Sequence, residues 1–256
     1  GDVSRRRAWA LRLAGVAGFL LLWEVAGRML GDALFAPFSA VISGFPATVR
    51  DYKLFTELAG SFQQLVLGYL LGCVAGIVLG TAMGRSALLD GLLQPWVSMM
   101  FVTSIASLVP LFIIMFGFGL AFRVAIVFMS AIWYVLLVTY HGARGVTPDL
   151  LQTARAFEAS RTQTFFKVLL PALYPYILVG MRIGLAHAIR AMVIAEMYVI
   201  VGFGGVVYNA GVEISTVSLF DALLTIMVVS VALTEMLKWF GRRTAPWYEE
   251  RQQMSN

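Results

Sequence analysis

Six runs of mostly apolar residues divide this chain, at roughly 8–27, 62–83, 97–116, 122–141, 173–200 and 217–240. About 20 such residues, wound as a helix, cross the hydrocarbon core of a bilayer. This pattern narrows the fold more than any other feature, because inside lipid every backbone amide must find its partner within the protein. A membrane β-barrel needs short segments of alternating polarity. These runs are continuous and rich in Leu, Ala, Val and Gly, so the expected fold is all-α, with six transmembrane helices in a single domain over 1–256. With 60% hydrophobic and 13% charged residues, an ordinary soluble domain is excluded.

The +5 net charge follows from orientation rather than from nucleic acid. Loops on the cytoplasmic side of a membrane carry the excess of Lys and Arg. With the N-terminus cytoplasmic, Arg5, Arg6, Arg7, Arg85, Arg144, Arg155, Arg161, Lys167, Lys238, Arg242, Arg243 and Arg251 all fall on that side. The other side keeps little beyond Arg28, Arg50, Lys53 and Arg123. Six spans return the C-terminus to the cytoplasm, so both termini are expected there. The first run is too long, and too polar at Glu24 and Arg28, for a cleaved signal sequence, and reads as a true span. A chain beginning at Gly1 rather than Met is expected of a processed or trimmed N-terminus. Cys73 is alone within the second span and reads as a small buried hydrophobe.

Residues 30–61 are expected to form an extracytoplasmic loop punctuated by Gly31, Pro37, Gly44 and Pro46, with helical periodicity over 47–60. Gly68, Gly72, Gly76 and Gly80 recur every fourth residue along one stripe of the second span. That spacing lets helices approach closely in lipid, within one subunit or across a dimer seam. Pro110 predicts a kink in the third span, for packing or for function. Met99, Met100, Phe101, Phe112 and Met115 read as packing or as pathway lining. Residues 201–213, rich in Gly, are expected to cap the external face or to return partway into the membrane.

Between the fourth and fifth spans lies a polar, basic, helix-prone stretch, Gln152 to Pro171. A protein that merely crossed the membrane would need only a short turn there. Arg155, Arg161 and Lys167 alternate with an apolar set, Ala154, Phe157, Phe165, Val168 and Leu169. Such a surface is suited to docking on a cytoplasmic partner.

Motifs for most other chemistry are missing. There is no phosphate-binding Gly-x-x-x-x-Gly-Lys-[Ser/Thr], no His-Glu-x-x-His and no Gly-x-Ser-x-Gly. His141 and His187 are not spaced for a shared metal, so no metal site is expected. An intramembrane hydrolase would need a nucleophile and a base on adjacent spans, for which Ser104, Ser107 and His187 are the candidates. The fifth span carries Arg182, His187, Arg190 and Glu196. A charge at mid-span costs about 2.5–3.5 kcal/mol on insertion scales, so each must face a cavity or a partner. His187 and Arg190, three apart, share a face. Arg182 and Glu196 share one too but are about 21 Å apart, so each needs a partner from another element, with Asp221 as a candidate. His187, Arg190 and Glu196 are the candidate pathway residues; a structural ion pair is the alternative.

From Gln152 to Pro171 the sequence resembles the Glu-Ala-Ala loop of the permease subunits of bacterial ATP-binding-cassette importers. The family pattern is Glu-Ala-Ala, three residues, Gly, nine residues, Ile, one residue, Leu-Pro. Here Gln152-Thr153-Ala154 stands at the triplet, Glu158 at the glycine, Val168 at the isoleucine and Leu170-Pro171 at the end. Two residues of the triplet differ. Glu158 replaces a glycine that in the family lies at a turn between two short helices, where positive φ favours Gly. Arg182-Ile-Gly-Leu185, Ala195-Glu196-Met197, Phe35-Ala-Pro-Phe-Ser-Ala-Val41 and Phe116-Gly-Phe-Gly119 resemble the branch that serves nitrate, sulfonates and taurine.

The resemblance covers nearly the whole chain. It implies a type I importer permease with a MetI-like core and one extra N-terminal helix, in the bacterial inner membrane. Implied partners are two ATP-binding subunits, a second permease copy in a homodimer, an extracytoplasmic binding protein and the membrane lipid, with no nucleic acid. No cofactor and no catalytic residue is expected on this chain; ATP and Mg belong to the partner that hydrolyses. The loop, 144–172, would seat Gln152, Ala154, Arg155, Phe157, Glu158, Ala159, Ser160, Arg161, Leu170 and Pro171 against the ATP-binding subunit. The alternative is a secondary, ion-coupled transporter, which predicts inverted repeats and broken helices at the midplane; the sequence shows no such symmetry.

Overall fold

The computed structural model describes residues 2–31 and 34–244, apart from the side chains of residues 2–6, 8, 148, 151, 155 and 161. Among them every regular element is helical. Of the expected cytoplasmic cations, Arg251 and the side chains of Arg5, Arg6, Arg155 and Arg161 lie outside the described residues. The chain divides into two compact units, Gly1–Gly60 with Ile200–Val228, and Ser61–Val199 with Val229–Asn256.

The first unit is built on α1 (Asp2–Leu30), α2 (Phe38–Asp51), the start of α3 (Leu54–Arg85), α10 (Gly202–Val212) and the start of α11 (Thr216–Thr244). Much of α1 exposes apolar residues such as Leu11, Phe19 and Leu22, as a lipid-facing span does. Its last turns hold α2. The Trp23 indole donates to the Ala36 carbonyl at 3.0 Å, and its ring packs with Phe38 and Phe220. Glu24 accepts from the Ser39 amide and hydroxyl, at 2.9 and 2.8 Å, and so satisfies an amide of the first turn of α2. Thr48 donates to Asp221 at 2.5 Å, which fixes the start of α11 on α2. The expected loop over 30–61 is therefore mostly helix, because Pro37 supplies an extended residue ahead of α2 and Pro46 is tolerated inside it. Likewise, within residues 201–213, Gly202–Val212 form a helix with Phe203, Val206 and Ala210 buried. Tyr52 donates to Glu213; burial and that carboxylate push the Tyr52 phenol up to about 12.

The second unit contains most of α3, then α4 (Ala87–Val102), α5 (Ile105–Phe116), α6 (Leu120–Gly145), α7 (Pro148–Ala156), α8 (Arg161–Thr164), a π-helical turn (Phe165–Leu169), α9 (Leu170–Val199) and the end of α11. The glycine stripe packs within this one chain. A Cβ on Gly68, Gly72, Gly76, Gly80 or Gly84 would stand 2.7, 3.1, 2.9, 2.5 or 2.9 Å from the carbonyls of Val124, Phe128, Ile132, Leu136 and Tyr140. The backbones of α3 and α6 thus touch at every turn. The numbers rise together along both helices, so α3 and α6 run in the same direction.

That direction settles the connection between them. Two parallel spans require the intervening chain to cross the membrane once more. Among the described residues five single helices are long and apolar enough to span, and α4 with α5 qualifies as a pair bent by 105°. The pair is therefore one crossing rather than a re-entrant loop, which makes six. A continuous helix over 97–116 does not form. The break falls at Thr103 and Ser104, both in extended conformation, and not at Pro110, which lies inside α5. Thr103 turns its hydroxyl onto the Met99 carbonyl at 2.8 Å, the local competition by which Ser and Thr end helices.

α9 packs antiparallel on α6: Gly142 meets Tyr176, Gly180 meets Val135 and Val138, and Gly184 meets Val135 and Ala131. The end of α11 returns along α9, with Gly241 against Leu178 and Tyr174 bonded to Thr244. Arg85, Arg144, Lys167, Arg242 and Arg243 consequently cluster at one end of this unit.

Candidate functional site

The expected docking segment is a helix, a tight turn and a second helix. The amide of Phe157 donates to Thr153, and that of Ala159 to Ala154, at 3.1 and 3.0 Å. The second bond spans five residues and closes α7 as a Schellman motif, which places Glu158 where the chain must turn left-handed. Its φ is +54°. The conformation that the resemblance assigns to a glycine is thus present, carried by a glutamate.

Ser160 then starts α8. Its hydroxyl accepts from the Gln163 amide at 3.2 Å, and the Gln163 side chain accepts from the Ser160 amide at 2.9 Å, a reciprocal capping box. The pattern Ser-x-x-Gln over 160–163 is the signal in the sequence for this helix start. The helix then continues through the π turn into α9. Pro171 has no N–H for the carbonyl four residues back, and the wider π register, with Leu170 donating to Phe165, falls immediately before it. Leu170 and Pro171 therefore stand at the start of the continuous helix α9.

The apolar set splits. Ala154 and Leu169 are buried; Leu169 joins Ala143, Val146, Leu173 and Ile177 in a core cluster. Phe157 points the other way and is 82% exposed. Phe165 and Phe166, the second of them absent from the expected set, are also exposed. Gln152 and Glu158 are exposed and Ala159 half-buried. The side chains of Arg155 and Arg161 lie outside the described residues. Beneath the turn, a cavity of 1000 Å³ separates the end of α3 (Thr81, Arg85) from Ala159, Thr164 and Phe165.

The three pathway candidates on α9 separate. Glu196 is 0% exposed, and Ser61 at 2.5 Å and Gln64 donate to its Oε1. The carboxylate of this candidate lies in the interior of the chain, tying α9 to α3. Arg190 is exposed and forms no ion pair among the described residues. His187 is half-buried, stacked on Tyr134 with centroids 3.6 Å apart. It lines a 290 Å³ cavity at the α4–α5 break together with Met100, Phe101, Ser104, Met129, Trp133 and Tyr134. Ser104 and His187 share that cavity without a hydrogen bond between them, and Ser107 is not in its lining.

A model of the family described as "binding-protein-dependent transport system inner membrane component" matches residues 68–246. The putative aliphatic sulfonates transport permease protein SsuC of Bacillus subtilis (strain 168) is 29% identical over 247 residues, covering 95% of this chain and 89% of that protein. The nitrate import permease protein NrtB of Leptolyngbya laminosa is 30% identical over 197 residues, covering 77% and 71%. Among solved structures, an inward-facing conformation of the MetNI methionine ABC transporter matches with a TM-score of 0.57 at 19% identity, over 75% of this chain and 93% of that one. At that identity the likeness concerns the fold alone. The family match begins within α3, so α1 and α2 lie outside it.

Proposed function

The chain belongs to the family of binding-protein-dependent transport system inner membrane components, and on that premise we propose that it passes a small oxyanion into the cytoplasm as one of two identical permeases. It is the transmembrane permease subunit of an ATP-driven importer, a multi-pass inner membrane protein that works with an ATP-binding subunit and a binding protein.

The docking site is the turn at Glu158. The observation that carries it is Phe157, a large aromatic standing 82% exposed on the Schellman turn, beyond the end of the spans. An aromatic that its own fold leaves bare, on a rigid turn, is what a groove in a partner takes up. Gln152 and Glu158 would lie at the rim of that contact, with Arg155 and Arg161 adding charge. Ala154, Ser160, Leu170 and Pro171 act by holding the turn's shape. Both termini are cytoplasmic in this reading, which the clustering of Arg85, Arg144, Lys167, Arg242 and Arg243 supports. The chain itself holds no cofactor; ATP and Mg are bound, and ATP hydrolysed, by two copies of the ATP-binding subunit.

Relatives named for sulfonates and nitrate support an oxyanion as the solute, as does Arg190, a cation at mid-span that its own fold leaves uncovered. The test is reconstitution of the permease with its ATP-binding subunit and binding protein in vesicles. ATP-dependent uptake of labelled nitrate or of a short alkanesulfonate is expected. A permease that purifies without an ATP-binding subunit, and that drives uptake from an ion gradient alone, is instead a secondary transporter; the broken α4–α5 span is the one feature in that reading's favour.

A further inference from the structure

The break between α4 and α5 lies at mid-membrane. The cavity beside it is open along Phe101, Val102, Thr103 and Ser104, which are exposed in this chain, and is walled by Met129, Ser130, Trp133 and Tyr134, at the middle of the 26-residue α6, and by His187, at the middle of the 30-residue α9. Four hydrogen-bonding side chains line it without a hydrogen-bond partner among the described residues: the Ser104 hydroxyl, the Trp133 indole, the Tyr134 phenol and the His187 ring. The hydroxyls of Thr103 and Ser130, also in the lining, are already spent on the carbonyls of Met99 and His187. Uncommitted polar groups this deep in a membrane protein are satisfied by water or by a ligand.

The kind of ligand follows from the donors. An indole N–H can only donate, and a phenol, a hydroxyl and an imidazole each have an N–H or O–H to give. Convergent donors call for an acceptor. No acidic side chain lines the cavity, so a cation would find no counter-charge. Arg190 stands one turn beyond His187 on the same face of α9, with no ion pair among the described residues to neutralise it. An anion is favoured on both counts.

We propose that this cavity is a transmembrane station for the transported oxyanion, which accepts hydrogen bonds there from Ser104, Trp133, Tyr134 and His187. The proposal rests on the importer reading and names the place at which the solute pauses between the binding protein and the cytoplasm. Its volume admits a nitrate or a short sulfonate with some water. The apolar remainder of the wall, such as Met100 and Met129, suits an anion that sheds part of its hydration.

The test uses the complete transporter in nanodiscs. Cys73 is the one cysteine of the chain and is buried, so Cys73→Ala gives a thiol-free permease into which Ser104→Cys is introduced. Two thiol reagents of similar size are compared, anionic sulfonatoethyl methanethiosulfonate and its cationic trimethylammonium counterpart, each scaled to its rate with a free thiol. The anionic reagent is expected to react about tenfold faster, the scale of one hydrogen bond to a charged group. Nitrate or ethanesulfonate should slow that reaction, and Trp133→Phe with Tyr134→Phe should remove the protection. Thr103→Cys, one residue away, replaces Ser104→Cys if the latter fails to give a monodisperse complex. Equal rates for the two reagents, a faster cation, or no protection by either anion would mean that the cavity holds water only, and the station is then wrong. ATP-dependent uptake by the unsubstituted complex separates the two levels. If uptake proceeds while the cavity shows no anion preference, only the station fails; if uptake is absent, the importer reading fails with it.

Discussion

The amide of Ala159 reaches back to the carbonyl of Ala154 at 3.0 Å, and the turn it closes holds Glu158 at a φ of +54°. For a residue with a Cβ, that conformation costs about 1–2 kcal/mol. Glu158→Gly is therefore expected to stabilise the turn by about 1 kcal/mol, and a β-branched Glu158→Val to loosen it. Limited proteolysis between α7 and α8 in the purified complex reads both. Faster cleavage or lost assembly in Glu158→Gly would show that the carboxylate is needed by the partner.

Phe157 makes the second test. It is so exposed that Phe157→Asp leaves this chain's own packing untouched. In a partner's apolar groove the same change buries an unpaired carboxylate, at a cost of several kcal/mol. The permease should insert and purify normally while the ATP-binding subunit is lost. Undiminished co-purification excludes Phe157 as an anchor.

The α3–α6 contact gives the third. A Cβ on Gly80 would come within 2.5 Å of the Leu136 carbonyl, which is backbone and cannot step aside. Gly80→Val should cost about 1–3 kcal/mol or more and depress the yield of monodisperse protein. Gly91→Ala, where a Cβ meets nothing within 4 Å, should be silent. Equal behaviour of the two variants argues against the parallel packing on which the six-span topology depends.

The spans and the glycine stripe were legible because lipid imposes length, apolarity and small contact residues on a linear pattern. The turn at Glu158 was legible through the spacing of a family motif. The break at Thr103 and Ser104 was hidden: the proline that drew attention, Pro110, sits inside a helix, whereas two hydroxyl residues with no sequence alarm carry the bend. The fate of Glu196 was equally out of reach. Its partners, Ser61 and Gln64, stand more than 130 positions earlier, and only the packing of α9 on α3 brings them to it.

That buried carboxylate yields a fourth expectation. Glu196→Leu strands the Ser61 and Gln64 donors in the interior and should cost about 1–3 kcal/mol for each group left unsatisfied. Glu196→Gln keeps an acceptor oxygen and should be milder. Thermal unfolding of the complex in detergent orders the three proteins. A Glu196→Leu variant as stable as the parent would leave no structural role for the carboxylate.

Arg190 is the last. It lies at mid-span on α9, is exposed in this chain, and has no ion pair among the described residues. A cation so placed meets water, a counter-charge or a solute, since hydrocarbon alone would cost about 2.5–3.5 kcal/mol on insertion scales. Facing the passage, it would offset the desolvation of an anion that crosses. Arg190→Gln should then lower uptake and solute-stimulated ATP hydrolysis about tenfold, the loss of one charge-assisted contact, with the complex assembling as before. Arg190→Lys should recover part of the activity, because it keeps the charge but not the planar fork. The salt dependence separates this role from a structural one: a pathway cation loses its advantage as competing anions are added, whereas an ion pair that merely holds two subunits together shows its loss in assembly. Normal uptake in Arg190→Gln, or a defect confined to assembly, removes Arg190 from the pathway.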